Sequence, residues 1–233
     1  MQNSIVWDNS SSWNVLYDVS CQNVYTKDPG FVDYANGDYR LAKGSPCIDM
    51  GDTSCVKGDL DLGSCPRVVN GTVDVGCYEY QEKTTWYVNG TSGLDSYSGM
   101  SSSQAKKTIQ AAIDAAANGD TIRVAAGTYA PIVSNNKKIK IEGLHGAIET
   151  IIDAHGVGRC ATLGSDNAGA QRRTYLIGFT LQNAKIAANG GGVLGGTIDR
   201  CIIRNCVADG NSGGAARNSE IWNSLLYGNS AIN

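Results

Sequence analysis

Large aromatic residues and charge are scarce in this chain of 233 residues. It contains two phenylalanines, four prolines and two histidines, and 18% of its residues are charged, for a formal net charge of −3. No basic run is present, so no nucleic-acid partner is expected. No apolar stretch reaches the length of a transmembrane helix, so membrane insertion is not expected either.

Glycine is abundant, by contrast, with 29 residues. Glycine and asparagine tolerate the positive φ of tight turns, and both are frequent here. Many turns separate many short elements, which favours an all-β architecture over a helical one. Hydrophobic residues make up 42% of the chain, which is enough for a core.

Eight cysteines are many for a protein of this size. Their spacing is not that of a zinc site, and they predict an oxidising, extracellular or cell-surface location. In one short stretch Cys55–Cys65 and Cys47–Cys77 are plausible disulfides, although the sequence leaves the connectivity open. The other four are either paired or buried as small apolar residues: Cys21, Cys160, Cys201 and Cys206.

A repeat of about 22–24 residues runs through the C-terminal part, in segments 177–183, 199–205 and 222–229. Each segment has a short apolar or β-branched run followed by Asn or Gly. This period is one turn of a parallel β-helix, in which a single coil buries one face and must stack on others. The L-x-x-L-x-L spacing of a leucine-rich repeat is absent.

Alternation along these runs predicts which side chains enter the core. Phe179, Leu181, Cys201 and Ile203 are predicted to point inward, and Thr180 outward. Upstream, an amphipathic helix is predicted over 105–117, with its apolar residues at helical spacing. A helix before the first coil would cover an otherwise open strand edge.

The region around this helix resembles the N-terminal cap of pectate-lyase-like right-handed parallel β-helix proteins. The resemblance spans 84–233 and is carried by segments 86–89, 93–99, 108–116 and 119–129. It implies an all-β, right-handed parallel β-helix with one amphipathic capping helix. Residues 84–233 would then be the cap helix and first coils of a β-helix.

Residues 1–82 resemble the opposite end of such proteins, the C-terminal region of bacterial surface β-helix proteins, often described as a choice-of-anchor domain. Segments 28–33, 37–41, 44–52 and 73–80 carry this resemblance. It implies a last coil followed by a cysteine-rich loop cap. Cys65 and Cys77 depart from the family pattern, and together they support an extra local disulfide.

The two ends of the chain match each other. Residues 3–10 resemble residues 223–230 at an offset of about 220. The chain is therefore either slightly more than one unit of a tandem array or a subunit whose last coil stacks on the next copy; both give a head-to-tail, non-closing contact. The alternative is a fragment with no assembly. The predicted assembly residues are Ile5, Trp7, Leu225 and Tyr227.

Four acidic residues crowd the first region: Asp49, Asp52, Asp59 and Asp61. Carboxylates on flexible loops suit Ca²⁺, so calcium is the one candidate cofactor. Aspartate is also a common turn former, which is the competing interpretation.

The resembled family includes polysaccharide lyases and hydrolases, and glycosidase chemistry needs two suitably separated carboxylates. Acidic residues do not recur here at coil spacing. The predicted function is a non-catalytic structural repeat of an extracellular bacterial surface protein or fibre, with further copies as partner. The alternatives are a carbohydrate-binding or adhesin module with glycan partners and a fragment of a polysaccharide lyase or glycoside hydrolase.

Overall fold

The structure, a computed structural model, describes residues 1–9, 22–63, 65–69, 71–165, 174–209 and 212–232. The chain separates into two compact units, Met1–Glu82 and Lys83–Asn233. The described residues form many short strands and one α-helix, which confirms the predicted all-β class. Within these residues, no helix has the length and apolar character needed to cross a bilayer.

Where the first unit is described, it contains two small sheets. Strands β1 (Gln2–Ile5) and β2 (Gln22–Tyr25) pair in parallel. Strands β3 (Phe31–Asp33) and β4 (Asp38–Leu41) pair antiparallel around a 3-10 turn, Tyr34–Asn36, and a second 3-10 turn spans Thr53–Cys55. A small buried cluster in the described part of this unit contains Leu41, Cys47 and Val75, with partly buried side chains packed around it.

The described part of the second unit contains the helix α1 (Ile109–Ala115), a 3-10 turn (Ser102–Gln104) and eighteen strands. In chain order the strands are β5 (Thr85–Val88), β6 (Thr121–Val124), β7 (Gly127–Tyr129), β8 (Ile132–Val133), β9 (Lys140–Gly143), β10 (Thr150–Asp153), β11 (Ala161–Thr162), β12 (Tyr175–Ile177), β13 (Thr180–Gln182), β14 (Lys185–Ile186), β15 (Val193–Leu194), β16 (Thr197–Asp199), β17 (Ile202–Arg204), β18 (Val207–Ala208), β19 (Ala216–Arg217), β20 (Glu220–Trp222), β21 (Leu225–Tyr227) and β22 (Ser230–Ala231).

These strands form four parallel sheets. Their orders are β5-β6-β9-β12-β16-β20, β7-β10-β13-β17-β21, β14-β18-β22 and β8-β11-β15-β19. From β12 onward the chain enters the sheets in a constant order, and we call one such passage a coil. Leu181 lies beside Ile203, and Ile203 beside Leu226, so successive coils are 22 and 23 residues apart.

The interior between the sheets is apolar, as the alternation predicts. Phe179, Leu181 and Ile203 are 0% exposed and Cys201 is 1% exposed, which confirms their inward orientation. Thr180, which is predicted to point outward, is nevertheless only 3% exposed. Its hydroxyl donates a hydrogen bond to the carbonyl of Ala147 at 2.6 Å, so the preceding loop covers this side of the strand.

The helix is shorter than the sequence predicts. Thr108 caps it, because the Thr108 hydroxyl accepts from the amide of Ala111 at 3.2 Å. Asp95 accepts from the amides of Lys107 and Thr108 at 2.9 and 2.8 Å, which holds the residues before the cap out of the helix. The ammonium of Lys137 donates to carbonyls of the last turn.

Shortening one core side chain tests this packing. We expect Leu181→Ala to lower the free energy of unfolding by about 2–5 kcal/mol, because it leaves a cavity between two coils. Val157→Ala, at a site that is 77% exposed, is the control and should change it by less than about 0.5 kcal/mol. Urea unfolding followed by circular dichroism measures both, and equal effects would contradict the assignment of Leu181 to the core.

Candidate functional site

The last coil of the second unit has no neighbour on its outer side within the described residues. Strands β19, β20, β21 and β22 each stand at the end of their sheet. We call these four strands with their turns, residues 216–232, the terminal coil. An uncovered parallel edge offers backbone groups to another strand.

Side chains of the terminal coil that are in register with core residues are partly exposed to solvent. Ile221 is in register with Ile198, and Leu226 with Ile203. Ile198 and Ile203 are 0% exposed, whereas Ile221 and Leu226 are 38% and 40% exposed. The sequence therefore continues the core pattern into a coil whose outer side is uncovered.

Further apolar side chains are exposed on the same coil. Trp222, Leu225, Tyr227 and Ile232 are each between 44% and 58% exposed. Two of the predicted assembly residues, Leu225 and Tyr227, thus lie on this surface. A group of neighbouring exposed apolar side chains is typical of an interaction site.

Two backbone amides of the terminal coil face its outer edge. In the preceding coil, the amide of Arg200 donates to the carbonyl of Trp222 at 3.2 Å, and that of Asn205 to Tyr227 at 3.4 Å. The positions in register with these donors are Asn223 and Gly228. The amides of Asn223 and Gly228 therefore face the outer edge of the terminal coil, where a further coil would place acceptor carbonyls.

The other two predicted assembly residues lie in the first unit and pack within it. Ile5 packs against the small core of that unit. The ring of Trp7 lies edge-on to Tyr34, with centroids 4.9 Å apart. Both residues line a groove of about 1180 Å³ together with Met1 and Gln2.

The two matching segments share local geometry. Asn3 and Asn223 both have φ of 45°, in the left-handed region. The hydroxyl of Ser4 donates to the carbonyl of Gln2 at 2.7 Å, and the hydroxyl of Ser224 to the carbonyl of Trp222 at 2.6 Å. The sequence match therefore corresponds to a match of backbone conformation.

The candidate calcium ligands are not gathered into a site. Asp52 accepts from the amide and hydroxyl of Ser54 in the first turn of a 3-10 helix. Asp61 accepts from the amides of Cys65 and Glu79, and Asp59 is exposed. Within the described residues, no group of three or more His, Cys, Asp or Glu is arranged to hold a metal ion. Asp49, Asp52, Asp59 and Asp61 thus do not converge.

The cysteine cap contains neither predicted bridge. Cys47, Cys55 and Cys77 carry free thiols, so Cys47–Cys77 and Cys55–Cys65 are not formed in this structure. Cys47 is fully buried, and this burial raises the pKa of its thiol. The thiol of Cys55 instead donates to the carboxylate of Asp52 at 3.4 Å. The two bridges stay predictions from the sequence. Cys21 lies outside the described residues.

A buried charge network in the first unit was not visible in the sequence. Arg67 donates to Oε2 of Glu79 at 3.0 Å, and the amide of Asp74 donates to the same oxygen at 3.1 Å. The Glu79 side chain is only 1% exposed, and burial raises its pKa to about 7. Burial also raises the pKa of Asp74. No spacing signal marks these residues, because they meet only through folded loops.

A row of polar side chains crosses the sheet that ends at β21. Asp153, Gln182, Arg204 and Tyr227 are in register on successive strands. The Gln182 amide donates to Asp153 at 2.6 Å, and Arg204 donates to Gln182 at 2.6 Å and to the Tyr227 hydroxyl at 3.1 Å. Burial alone would raise the pKa of Asp153, but these and neighbouring hydrogen bonds lower it. The row is internally satisfied and ends on the exposed Tyr227.

Comparison with models of known protein families gives no match for this chain, and comparison with curated proteins gives none either.

Replacing Glu79 tests the buried network. Its pKa is about 7 when folded against an ordinary 4.5, so the folded chain holds a proton that the unfolded chain releases. The free energy of unfolding should therefore fall as pH rises through this window, by on the order of 2 kcal/mol. We expect Glu79→Gln to weaken this dependence.

Urea unfolding at several pH values measures the effect. Glu82→Gln is the matched control, because this carboxylate is 71% exposed. It should leave the pH dependence as in the unsubstituted chain. The same slope for Glu79→Gln would contradict a raised pKa at Glu79.

Proposed function

We propose that this chain is a non-catalytic structural repeat of an extracellular surface protein or fibre, and that it joins further copies head-to-tail. The observation that carries the proposal is the terminal coil, where core positions and strand edges are open. The occupant that we propose for it is the first strand of a second copy.

We further propose that the parallel sheets of the second unit wrap into a right-handed β-helix, as the resemblance to pectate-lyase-like proteins implies. Its support is the constant order in which the chain enters the four sheets, with returns after 22 or 23 residues. Parallel crossovers are right-handed in about 98% of cases. In such a stack, only the end coils have open edges.

The polarity of the two ends suits this contact. In the second unit, later strands add on one side of earlier ones, so the terminal coil is open toward a following strand. Strand β1 pairs with the later strand β2, and within the described residues that is its one partner. Its other edge faces where a preceding coil would lie. The terminal coil has no strand after it within the described residues, and β1 has no strand before it. The two open edges are therefore complementary.

The match between residues 3–10 and 223–230 gives the register of the proposed contact between two copies. The carbonyl of Trp222 accepts from the amide of Arg200, and Gln2 is the counterpart of Trp222. In the proposed contact, the carbonyl of Gln2 accepts from the amide of Asn223 of the other copy. The Gln2 carbonyl already accepts from Ser4, as that of Trp222 does from Ser224, and a carbonyl has two lone pairs.

Charge does not oppose the contact. The terminal coil contains one arginine and one glutamate, and residues 1–9 contain one aspartate. The contact would instead bury Ile221 and Leu226, each worth about 1.5–3 kcal/mol when fully covered.

Placing a charge on the open core position tests the assembly. We expect the purified chain to form long particles as its concentration rises, visible by electron microscopy and by sedimentation. Leu226→Glu should abolish them, because the charge would be buried between copies without a partner. Val157→Glu, on a loop and 77% exposed, is the control and should assemble as the unsubstituted chain does.

Two results would contradict the proposal. One is an unsubstituted chain that stays monomeric at every concentration. The other is Leu226→Glu assembling to the same extent as Val157→Glu. Leu226 is exposed in the single chain, so its substitution should leave the circular dichroism spectrum unchanged.

Glycan binding is a second candidate function. Tyr34 and Tyr39 of the first unit are 42% and 47% exposed, with ring centroids 5.9 Å apart. Exposed aromatic rings suit sugar faces, because each ring offers apolar area and a polar hydroxyl. A glycan array with hits that disappear in Tyr39→Ala would support it, and an array without hits would remove it.

A further inference from the structure

A further coil stacked on the terminal coil covers the side chains that point inward, but not those that point outward. Leu226 is in register with the buried Ile203 and points inward, so its neighbours Leu225 and Tyr227 point outward. These two residues are 55% and 44% exposed. Because outward side chains lie on the outer face of the sheet, stacking alone would leave Leu225 and Tyr227 in solvent.

The row of outward side chains that ends at Tyr227 changes character at the terminal coil. On the three strands before it, the row consists of Asp153, Gln182 and Arg204, which are charged or carry an amide. On the terminal coil the row continues with an aromatic ring. Arg204 donates to the hydroxyl of Tyr227 at 3.1 Å, so the polar end of Tyr227 is satisfied while its ring stays largely exposed. Such a ring is typical of a contact surface.

The counterparts of these two residues in the first unit are covered by other side chains. By the match between the chain ends, Ile5 is the counterpart of Leu225 and Trp7 is the counterpart of Tyr227. Ile5 packs against the small buried cluster of the first unit, and the centroid of the Trp7 ring lies 4.9 Å from that of Tyr34. The covering residues all follow β1 in the chain. The first unit therefore provides the kind of cover that the terminal coil is without.

The groove of the first unit lies beside these covered residues and has exposed apolar side chains of its own. Ile5 and Trp7 line it, and so do Tyr39 and Leu62, which are 47% and 70% exposed. Strand β1, whose outer edge faces where a preceding coil would lie, forms part of the lining. A coil placed before β1 in the matching register would bring its outward side chains next to Ile5 and Trp7, and thus to this groove.

We propose that this groove covers the outer face of the terminal coil of another copy, with Leu225 beside Ile5 and Tyr227 beside Trp7. The inference rests on the proposed head-to-tail assembly and adds a second contact to it. Strand edges and inward side chains set the register, and the groove buries the outward side chains. A coil with Gln182 or Arg204 at the same position would lose solvation of a polar group there, so the groove selects the terminal coil as its partner.

Placing a charge in the groove tests this cover without changing the stacked coils. Leu62→Asp is the test variant, and Leu60→Asp is its matched control. Leu60 is in the same loop and 57% exposed, but it is not among the described residues that line the groove. We expect Leu62→Asp to raise the concentration at which half of the chain sediments as long particles by about tenfold or more, because its carboxylate would be buried among apolar side chains. Leu60→Asp should leave this concentration unchanged within about twofold.

Substitution of Tyr227 tests the other side of the contact. Tyr227→Ala removes the ring that the groove covers, and it should also raise the concentration for half sedimentation by about tenfold or more. Tyr227→Phe keeps the ring and loses only the hydroxyl, so it should assemble nearly as the unsubstituted chain does. Equal assembly of Tyr227→Ala and the unsubstituted chain would contradict the proposed cover.

Alkylation of Cys77 gives an independent readout. Cys77 is exposed and lines the groove, whereas Cys65 is not among the lining residues. Trypsin cuts after Arg67 and so places the two cysteines in different peptides. Under reducing conditions, we expect the reaction of Cys77 with iodoacetamide to slow as long particles form, while Cys65 keeps its rate. An unchanged rate for Cys77 in chains that have assembled would overturn the inference.

The sedimentation results distinguish the cover from the head-to-tail contact itself. If Leu62→Asp and Leu60→Asp assemble equally while Leu226→Glu does not assemble, the coils stack without the cover, and only the inference is overturned. Loss of glycan binding in Leu62→Asp, with assembly unchanged, would assign the groove to a glycan instead. An unsubstituted chain that stays monomeric at every concentration would overturn both the inference and the proposed function.

Discussion

A strand of the second unit depends on the coils before and after it. Its backbone groups pair with the strand in the preceding coil and the strand in the following one, and its inward side chain packs between theirs. Leu181 and Ile203 are fully buried because another coil lies on each side. Leu226 continues the same row and is exposed because nothing in the described chain follows it. The stack therefore creates at its end the surface that we propose for assembly.

Much of this arrangement is readable from the amino-acid sequence, because it is local and periodic. The spacing of Phe179, Leu181, Cys201 and Ile203 predicts the inward positions, and a parallel stack repeats them in register. The helix is also predicted, but not its start, since Asp95 holds the residues before Thr108 outside it. The burial of Thr180 is not predicted, because the loop that contains Ala147 covers its side of the strand. The alternation of inward and outward residues along a strand does not predict which loops cover it.

The side-chain networks were harder to predict than the coils. Arg67, Asp74 and Glu79 meet only where irregular loops fold back, and no periodic pattern brings them together. The candidate calcium ligands are close in sequence but do not form one group among the described residues, because Asp52 and Asp61 instead accept from nearby backbone amides.

The central claim is that the terminal coil is completed by another copy, and the amides of Asn223 and Gly228 report on it most directly. Their counterparts in the preceding coil, Arg200 and Asn205, donate to the strand that follows. Hydrogen–deuterium exchange of these two amides, measured across a range of protein concentrations, tests whether another copy supplies the acceptors. If another copy stacks on the terminal coil, their exchange slows as concentration rises, while loop amides around Val157 keep a constant rate. Exchange that stays fast at every concentration would contradict it.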